Sequence, residues 1–326
     1  MIICKTPLRL SFLGGGTDLP IFIKNQKFGC VISSTINKYI YITIKDHGEL
    51  FKEKIRLNYS RTETLENEND IKNDIIREVI KFLKIKKKIY ISTISDVPSK
   101  SGLGSSSAFC VGLLQGLYQY SGIKVNQKKL AKEAFSIEKD ILGKNVGYQD
   151  HYIATFGGLN LIKFYKNKAI LKKIINKNIS KKLFDYNICF CLNKFRNAND
   201  ILQDQVKNYE FNKKNLVQIK NLTLAGYKDL LNGKYTNFFK KIDKSWQEKK
   251  QLSTKISNKK INYLYDNAIK LGAYGGKISG AGGGGFLNLF AKKRDHSKII
   301  KKLSIYNYKY IEIGFEKHGS KCFIIK

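Results

Sequence analysis

The sequence predicts an α+β protein built from two domains. Its 326 residues are enough for two ordinary domains, each burying a core of its own. Predicted strands and helices follow one another in mixed order through both halves, which is typical of α+β folds. Asn, Lys and Ser crowd together over 176–184. We place the boundary there, between an N-terminal domain of residues 1–180 and a C-terminal domain of residues 181–326.

In the first half, alternating β-branched residues predict strands, and apolar residues at helical spacing predict helices. The helix 105–120 has an apolar stripe, and Gly112 and Gly116 on its flank allow close packing. Asn126 is a suitable N-cap for the next helix. Strands are predicted over 1–12, 29–45, 55–59 and 89–94, helices over 69–83, 105–120 and 126–142, and a hairpin over 157–164 and 169–174.

The second half is predicted to begin with a strand over 186–192, followed by three or four lysine-rich helices. A strand over 274–278, a glycine loop and a strand over 286–290 come next. A helix and two strands, over 308–313 and 322–325, end the sequence. Strands therefore flank the helices in this half as well, which again indicates α+β architecture.

The composition excludes several classes of protein. With 42% hydrophobic and 26% charged residues, the chain is unlike disordered, fibrous or membrane-spanning sequences. No apolar run approaches the roughly 18 residues of a membrane helix, and the apolar segment 1–12 leads to no secretory cleavage site. Six cysteines without a C-x-x-C pair and four histidines without metal-ligand spacing argue against a zinc site. Five of the cysteines lie in apolar segments, where a free thiol packs as a small hydrophobe, and we expect a cytoplasmic protein.

The net charge of +34 raises nucleic acid as a partner. The sequence has 54 lysines but only 6 arginines, and the lysines are spread along its whole length beside abundant Ile and Asn. Nucleic-acid-binding modules usually concentrate their charge on one face, whereas Lys, Ile and Asn share A/T-rich codons. We therefore favour a compositional bias of the genome and expect neither a nucleic-acid nor a membrane partner. A basic nucleic-acid-binding protein is the distant alternative.

A glycine- and serine-rich cluster over 96–108 joins a predicted strand to a buried helix. Small residues let backbone amides approach an anion, and a helix N-terminus offers unpaired donors and partial positive charge. A capped helix with a flexible entry is the alternative, but one serine would suffice for that. No Walker-type P-loop occurs in the sequence. The predicted phosphate-binding residues are Pro98, Lys100, Ser101, Gly102, Leu103, Gly104, Ser105, Ser106 and Ser107.

Two further glycine clusters flank this one in sequence. The cluster 280–285 matches G-x-G-x-x-G, but it precedes a strand instead of a helix, so the dinucleotide-binding interpretation fails on context. In the first cluster, a strand carrying Arg9 ends in a glycine turn that presents Thr17 and Asp18. A carboxylate in such a turn suits the recognition of sugar hydroxyls, and a structural turn with a capping Asp is the alternative.

The three clusters, in this order, resemble the motifs of the GHMP kinases, the superfamily of galactokinase and of homoserine, mevalonate and phosphomevalonate kinases. The pattern P-x-R-x-x-x-x-G-x-x-T-D is complete over 7–18, P-x-x-x-G-L-G-S-S is complete over 98–106, and the third motif lies at 276–286. The resemblance spans nearly the whole chain. It implies an S5-like N-terminal domain, a ferredoxin-like C-terminal domain, an active site between them, and ATP and Mg²⁺ as cofactors.

Within the superfamily, the triple glycine of the first motif is similar to the branch that acts on D-glycero-D-manno-heptose 7-phosphate. The segment 147–151 also resembles that branch, with His151 in place of the usual Gln. Another departure is the pair Leu192 and Asn193, which stands where relatives usually have Thr-Gly before an arginine. This departure concerns the distal part of the sugar pocket.

The resemblance also implies roles for individual residues. Asp150 matches the aspartate beside the attacking hydroxyl, with Arg9 close by to keep it ionised and to stabilise developing charge; from the sequence alone, Asp150 could instead cap a helix. Glu138 lies beside the apolar stripe of its helix and is either a surface ion pair or a metal ligand. The resemblance favours a magnesium ligand, together with the hydroxyls of Ser106 and Ser107.

Arg196 is conspicuous because arginine is scarce in this sequence. A guanidinium grips a phosphate through two parallel bonds, which a lysine cannot do, so Arg196 with Lys194 could anchor a phosphate at the far end of a sugar. A surface arginine is the alternative. The predicted substrate-binding residues are Gly15, Gly16, Thr17, Asp18, Lys194, Arg196, Gly282 and Gly283.

These observations together predict an ATP- and magnesium-dependent sugar kinase. The expected reaction transfers the γ-phosphoryl group to the anomeric hydroxyl of D-glycero-D-manno-heptose 7-phosphate, giving the 1,7-bisphosphate. By family analogy, this product feeds nucleotide-activated heptose for capsule or lipopolysaccharide. The alternative within the superfamily is a galactokinase- or fucokinase-like enzyme that phosphorylates the anomeric hydroxyl of an unphosphorylated sugar.

Overall fold

Two β-sheets and their covering helices form the protein in the computed structural model, which describes residues 1–193 and 198–325. The strands are β1 (Ile2–Leu13), β2 (Gly29–Asp46), β3 (Ile55–Asn58), β4 (Thr62–Leu65), β5 (Ile89–Ser95), β6 (Leu159–Phe164), β7 (Ala169–Lys173), β8 (Asn187–Cys191), β9 (Ala273–Ile278), β10 (Phe286–Ala291), β11 (Lys309–Ile311) and β12 (Lys321–Ile324). The helices are α1 (Pro20–Asn25), α2 (Asp74–Phe82), α3 (Ser105–Tyr120), α4 (Gln127–Ser136), α5 (Gln149–Phe156), α6 (Lys177–Asp185), α7 (Ala198–Lys207), α8 (Tyr209–Leu231), α9 (Tyr235–Gln251), α10 (Lys259–Lys270) and α11 (Lys293–Ser304).

The first sheet has eight strands and is centred on β2. Strands pair in the order β12-β1-β2-β5-β3-β4, and β6 joins β2 while β7 joins β6. Only the β3–β5 pair is parallel among the described strands of this sheet. The β1–β2 register shifts between Pro7 and Arg9. Bulges of this kind bend a strand and redirect a side chain. This bulge lies next to Arg9, which lines the cavity described below.

Helix α3 packs against β1 and β2 because two glycines let the backbones approach. A Cβ at Gly112 would lie 2.4 Å from Oγ1 of Thr6, and one at Gly116 would lie 2.7 Å from Cδ1 of Ile44. The predicted close packing at these two glycines is therefore confirmed. The predicted bounds of this helix, 105–120, are confirmed as well.

The second sheet has the order β11-β8-β10-β9, and all its pairs are antiparallel. Helices α8, α9 and α10 bury large side chains around it, including Trp246 and Tyr265. The ring of Phe12 on β1 lies within 6.1 Å of three rings from the second half of the chain, those of Phe184, Phe238 and Phe290. One hydrophobic cluster therefore extends from the first sheet to the second.

The predicted α+β class is confirmed, and most predicted elements agree with the structure within a few residues. Strand β4 and the short helix α1 were not predicted, and helix α6 occupies the stretch where the domain boundary is predicted. This helix has an amphipathic pattern that buries Ile179 and Leu183, which the polar composition of the stretch hides. A boundary near residue 180 between two domains stays a prediction.

The end of the chain returns to the first sheet. Strand β12 pairs with β1, although the sequence analysis assigns its residues to the second domain; that pairing is non-local and leaves no mark in the sequence. Cys4 and Cys322 face each other in this pair and form a disulfide, so two of the cysteines expected to be free thiols are bonded. The remaining cysteines, Cys30, Cys110, Cys189 and Cys191, are free and buried.

No helix in the described ranges is long and apolar enough to cross a membrane.

Candidate active site

A cavity of about 430 Å³ lies between the two sheets and gathers residues from both halves of the chain. Its first-half walls are β1, the loop before α1, the loop before α3 and the segment that precedes α5. Its second-half walls are α7, α9, the end of β9 and the glycine loop 279–285. All three glycine clusters of the sequence therefore meet at one cavity.

Arg9 and Asp150 form a bidentate ion pair in this cavity. The guanidinium Nε donates to Oδ1 of Asp150 at 2.7 Å and Nη2 donates to Oδ2 at 2.6 Å. The third nitrogen, Nη1, donates to the carbonyl of Gly102 in the loop before α3. The two residues are 141 positions apart in sequence, and the arginine connects the carboxylate to the predicted phosphate loop.

The surroundings keep Asp150 ionised. Burial raises its pKa, but the Arg9 guanidinium and a hydrogen bond from the Gln149 amide outweigh burial, so the pKa lies below its usual value. Nε2 of Gln149 donates to Oδ1 of Asp150 at 3.0 Å, and Ser11 in turn donates to Oε1 of Gln149. The side chain of Asp150 keeps 23% of its surface exposed. It is thus a fixed, charged acceptor that a ligand can reach.

From the sequence alone, Asp150 could cap a helix. The N-cap of α5 is Tyr148, and Asp150 is the second residue of the first turn, where its side chain pairs with Arg9 instead of with the helix backbone. The capping alternative is therefore wrong.

Asp18 lies beside the pair and is a second buried carboxylate. Its oxygens accept from the backbone N–H of Gly16 at 3.1 Å and of Gln149 at 3.2 Å. Burial, and then the charge of Asp150, raise its pKa. A Cβ at Gly147 would lie 2.0 Å from Oδ2 of Asp18, so only glycine fits there. Asp18 lines the cavity and also connects the first glycine turn to α5. The alternative of a structural turn stabilised by this aspartate is therefore supported in part.

Thr17 does not line the cavity. Its side chain is fully buried, and its hydroxyl bonds the backbone of Gly14 and Cys30. The expectation that Thr17 contacts substrate is therefore unsupported by its position, which is that of a structural bond inside the turn.

The loop before α3 supplies most of the predicted phosphate-binding residues. Helix α3 begins at Ser105, and Gly104 precedes it in the left-handed region at φ +79°, a conformation that favours glycine. Lys100, Gly102 and Gly104 line the cavity together with the three serines 105–107. Pro98, Ser101 and Leu103 do not line it. Of these, Leu103 accepts a backbone bond from Arg9 and so holds the loop against β1.

The second and third glycine loops touch each other through their backbones. A Cβ at Gly102 would lie 2.6 Å from the carbonyl oxygen of Ser279, and a Cβ at Gly280 would lie 2.8 Å from Cα of Gly102. Both glycines have positive φ, +80° and +70°. A larger residue at either position would separate the loops, so their glycines close the cavity between the two halves of the chain.

Glu138 is completely buried, which corrects its expected position at the border of an amphipathic helix. Helix α4 widens into a π-helical turn over Ile137–Ile141, which changes the direction of the side chains from that of a regular helix. Ser106 and Ser107 each donate a hydroxyl to one carboxylate oxygen of Glu138, and Nε2 of His151 lies 2.7 Å from Oε2. Burial raises the pKa of Glu138, but these bonds outweigh it and bring the pKa to about 2.

This carboxylate and the two hydroxyls form a set of hard oxygen donors of the kind that Mg²⁺ prefers. Within 1–193 and 198–325, no group of three or more His, Cys, Asp or Glu side chains could hold a metal on its own. Mg²⁺ is commonly held by one or two carboxylates together with substrate phosphates. The residues present therefore fit a magnesium ion that arrives with a nucleotide.

Several cavity residues were not predicted from the sequence, chiefly Lys249 on α9, Lys277 on β9, Gln205 on α7, and Lys144 in the segment between α4 and α5. Burial lowers the pKa of Lys249 to about 8 and that of Lys277 well below its usual value. Among 54 lysines, no local signal distinguishes the few that are buried. Gln205 was missed for the same reason, since its helix reads as polar and exposed.

The structure describes only some of the substrate-binding residues that are predicted in the second half of the chain. Gly282 lines the cavity, whereas Gly283 lines a neighbouring depression next to Asn193 and Tyr306. Lys194 and Arg196, the predicted phosphate anchors, lie outside the described residues.

The comparisons with known proteins agree with this geometry. Residues 73–158 match the family model for the GHMP kinases N terminal domain, and residues 227–309 match that for the GHMP kinases C terminal domain. The chain is 33% identical to the D-glycero-alpha-D-manno-heptose 7-phosphate kinase of Campylobacter jejuni, over 98% of both sequences.

Solved structures show the same fold. The crystal structure of a D-glycero-D-manno-heptose 1-phosphate kinase from Bacteroides thetaiotaomicron superposes with a TM-score of 0.81 at 24% identity, covering 100% of both chains. The Methanococcus jannaschii mevalonate kinase superposes with a TM-score of 0.73 at 22% identity, covering 97% of this chain and 98% of the other.

Proposed function

The chain belongs to the GHMP kinase family, and from this membership we propose that it transfers the γ-phosphoryl group of ATP to the anomeric hydroxyl of D-glycero-D-manno-heptose 7-phosphate. The product is the 1,7-bisphosphate. As a member of the sugar-kinase branch, the protein is a phosphotransferase with an alcohol acceptor. The choice of sugar rests on the 33% identity to the heptose 7-phosphate kinase along nearly the whole of both chains.

The observation that carries the reaction type is the Arg9–Asp150 pair beside the N-terminus of α3. Phosphoryl transfer needs an oriented hydroxyl, a cradled nucleotide and stabilisation of negative charge. Asp150 is ionised and reachable, so it can accept a hydrogen bond from the acceptor hydroxyl. Arg9 contacts both this carboxylate and the loop before α3, which supports a role for its positive charge between donor and acceptor.

In the proposed reaction, the anomeric oxygen forms a bond to the γ-phosphorus while the bond from that phosphorus to the β,γ-bridging oxygen breaks. ADP leaves with the electron pair of that bond. The hydroxyl proton passes to the carboxylate of Asp150 and from there to solvent. The unpaired N–H groups at the start of α3, with Lys100 in the preceding loop, hold the phosphates of the nucleotide.

Ser106, Ser107 and Glu138 are the residues that would hold Mg²⁺, which when bound neutralises phosphate charge. Glu138 keeps its negative charge throughout, because its pKa is about 2. Lys144 lies 3.9 Å from the same carboxylate and 2.8 Å from Asp74. Its ammonium therefore adds a positive charge at the same end of the cavity.

The proposal is tested with a panel of hexoses and heptoses, each offered with and without a terminal phosphate. Release of ADP measures turnover, and phosphorus NMR of the product identifies the oxygen that has been phosphorylated. We expect the highest kcat/KM for the heptose 7-phosphate and a new signal from an anomeric phosphate. A preference for unphosphorylated sugars would favour the galactokinase- or fucokinase-like alternative, and no turnover with any sugar would contradict the proposal.

Arg196 stays the predicted anchor of the distal phosphate. Arg196→Ala should raise KM for the phosphorylated sugar, because a charged hydrogen bond is worth about 1.5–3 kcal/mol, and should leave KM for ATP nearly unchanged. Arg196→Lys should recover only part of the loss, since an ammonium cannot reproduce the bidentate fork. An equal penalty on phosphorylated and unphosphorylated sugars would remove Arg196 from this role.

A further inference from the structure

Gln205 is a buried amide without a partner at the wall of the active-site cavity. Its side chain is 2% exposed, and neither its oxygen nor its nitrogen has a hydrogen-bond partner among the described residues. A buried polar group that makes no hydrogen bond destabilises the folded protein. Such a group at a cavity wall indicates that its bonds are made to a ligand.

Lys249 on α9 is the neighbouring polar group of this wall. It is buried, and its ammonium donates to the carbonyl of Gly280 in the third glycine loop. An ammonium has three donors, so the bond to Gly280 leaves two of them. Its charge is close enough to those of Asp18, Asp150 and Arg9 to be influenced by all three.

Both side chains lie next to the first glycine turn. A Cβ at Gly15 would lie 3.8 Å from Nζ of Lys249, and one at Gly16 would lie 3.6 Å from Oε1 of Gln205. A methyl group at either glycine would be in ordinary van der Waals contact with these side chains, so the turn and the wall formed by α7 and α9 adjoin at the edge of the cavity. The carboxylates of Asp18 and Asp150 line the same space.

We propose that Gln205 and Lys249 bind the hydroxyl groups of the acceptor and determine which sugar is accepted. This inference rests on the proposed function and adds to it two specificity-determining residues from the second half of the chain. The wall formed by these two side chains is called the α7–α9 wall below.

The chemistry of the α7–α9 wall complements a polyol. A carboxamide donates and accepts at once, as a pair of vicinal hydroxyls does, so the two can form paired hydrogen bonds. The remaining donors of Lys249 suit hydroxyl oxygens. Asp18 and Asp150, which line the same cavity, accept from hydroxyl hydrogens. A sugar in this cavity therefore finds both donors and acceptors.

A site that requires a hydrogen bond discriminates strongly, because a substrate lacking the matching hydroxyl leaves the buried group unpaired. Gln205 is such a group, whereas the backbone amides of the phosphate loop bind phosphate in any substrate. The α7–α9 wall thus selects the acceptor and has no part in holding the nucleotide.

The test uses Gln205→Leu and Lys249→Met in the full chain, with KM measured separately for ATP and for the best acceptor of the panel. Loss of a neutral hydrogen bond corresponds to a roughly 3- to 10-fold change. We expect Gln205→Leu to raise the KM for the acceptor by about that factor and to leave the KM for ATP unchanged. The ratio of kcat/KM for the acceptor to kcat/KM for its epimers should move closer to one. Lys249→Met should raise acceptor KM at least as much, because charged donors bond more strongly.

Matched controls separate binding from folding. Gln115→Leu removes another partnerless buried carboxamide oxygen, on α3 and away from the cavity. Lys250→Met removes the next lysine on α9, which does not line the cavity. Neither control should change acceptor KM.

Thermal unfolding of the ligand-free protein distinguishes the two explanations for Gln205. If the amide serves substrate, Gln205→Leu leaves the melting temperature unchanged or raises it, because an unpaired polar group is removed. If the amide serves only the fold, the melting temperature falls and the acceptor constants stay the same, which overturns the inference.

The remaining outcomes are equally decisive. An increase in ATP KM as large as that in acceptor KM overturns the inference, because the wall would then bind the nucleotide. Wild-type protein that phosphorylates no sugar overturns the proposed function and this inference together. Active variants with unaltered acceptor constants and unaltered epimer preference overturn only the inference.

Discussion

At the scale of single residues, the candidate active site depends on charges that are fixed by close partners. Asp150 is held by two bonds from Arg9 and one from Gln149, and Glu138 is held by two serines and a histidine. Both carboxylates are thereby ionised despite burial. The two carboxylates lie in different environments: Asp150 is reachable beside the first glycine turn, and Glu138 is enclosed beside the loop before α3.

Asp150→Asn should abolish most turnover while nucleotide binding persists. The amide keeps the shape of the side chain but cannot take up the hydroxyl proton, and loss of a general base costs about 10²- to 10⁴-fold in rate. Steady-state kinetics and calorimetric titration with a nucleotide analogue give the two quantities. Near-normal turnover would show that Asp150 is not the base.

Arg9→Met should shift the acidic limb of the pH profile of kcat/KM toward higher pH. Arg9 lowers the pKa of Asp150 in the native protein. The carboxylate therefore stays ionised through the pH range in which an aspartate usually titrates, and it is protonated only at lower pH. Without the guanidinium, burial and the nearby Asp18 both favour the protonated acid. An acidic limb at the same pH in both proteins would contradict the assignment, and Arg9→Lys, which keeps the charge, should shift it least.

Glu138→Gln should raise the Mg²⁺ concentration needed for tight nucleotide binding. The neutral amide retains the size of the side chain but supplies a weaker ligand than a carboxylate for a hard cation. Nucleotide affinity titrated against Mg²⁺ measures this without turnover, and Glu133→Gln on the preceding helix is the control. Superimposable titrations would indicate that Glu138 is a structural anchor for the two serines.

At the scale of elements, helix α3 is important because it brings the predicted phosphate-binding loop to β1. Its packing against the sheet depends on Gly112 and Gly116, and its N-terminus is aligned with the cavity. The hydroxyl of Thr6 also bonds Ser320 at 2.7 Å, so this contact connects β1, α3 and the segment that leads into β12.

Gly112→Ala should destabilise the protein. In an exposed helix, this substitution is stabilising by about 1 kcal/mol, but here the new Cβ would lie 2.4 Å from Oγ1 of Thr6. Overpacking of a tight contact costs about 1–3 kcal/mol, so the expected net effect is a loss. Urea unfolding gives the sign, with Gln119→Ala on the exposed face of α3 as the control. A gain in stability would mean that the contact relaxes freely.

At the scale of the whole molecule, one cavity and one continuous hydrophobic cluster join the two sheets. Phe12 of β1 packs against Phe238 on α9 and Phe290 on β10, and the cavity takes its residues from both halves. Lysines are distributed along the length of the chain, and Lys100, Lys144, Lys249 and Lys277 line the cavity.

Unfolding should therefore be a single cooperative transition. Trp246 is the only tryptophan in the sequence, and it is buried in the core of the second sheet. Its fluorescence and the far-UV circular dichroism of the whole chain should follow the same denaturation curve, as coincident probes do in two-state unfolding. Two separated transitions would show that the shared aromatic contacts do not couple the halves.

Nucleotide binding offers a check on the same prediction. If the halves unfold together, a nucleotide at about 100 times its dissociation constant should raise the unfolding free energy by roughly 2.7 kcal/mol. Both probes should report the same increase.

The amino-acid sequence was sufficient to predict the fold class, most elements and the three glycine motifs. These features are local, since periodicity, turn residues and short motifs are written in neighbouring positions. Arg9 and Asp150 are 141 positions apart, and their proximity was predicted only through the resemblance to the GHMP kinases. The bounds of α3, confirmed to the residue, illustrate how much a buried stripe after a glycine loop determines.

The way in which distant side chains combine could be learned only from the folded protein. The return of β12 to β1, the burial of Glu138 by a π-helical turn and the placement of Lys249 and Gln205 at the cavity all depend on packing between segments far apart in the chain. Whether a lysine or an amide is buried depends on the segments that pack against it. In a sequence rich in exposed lysines, no local pattern identifies the few that are buried by segments from the other half of the chain.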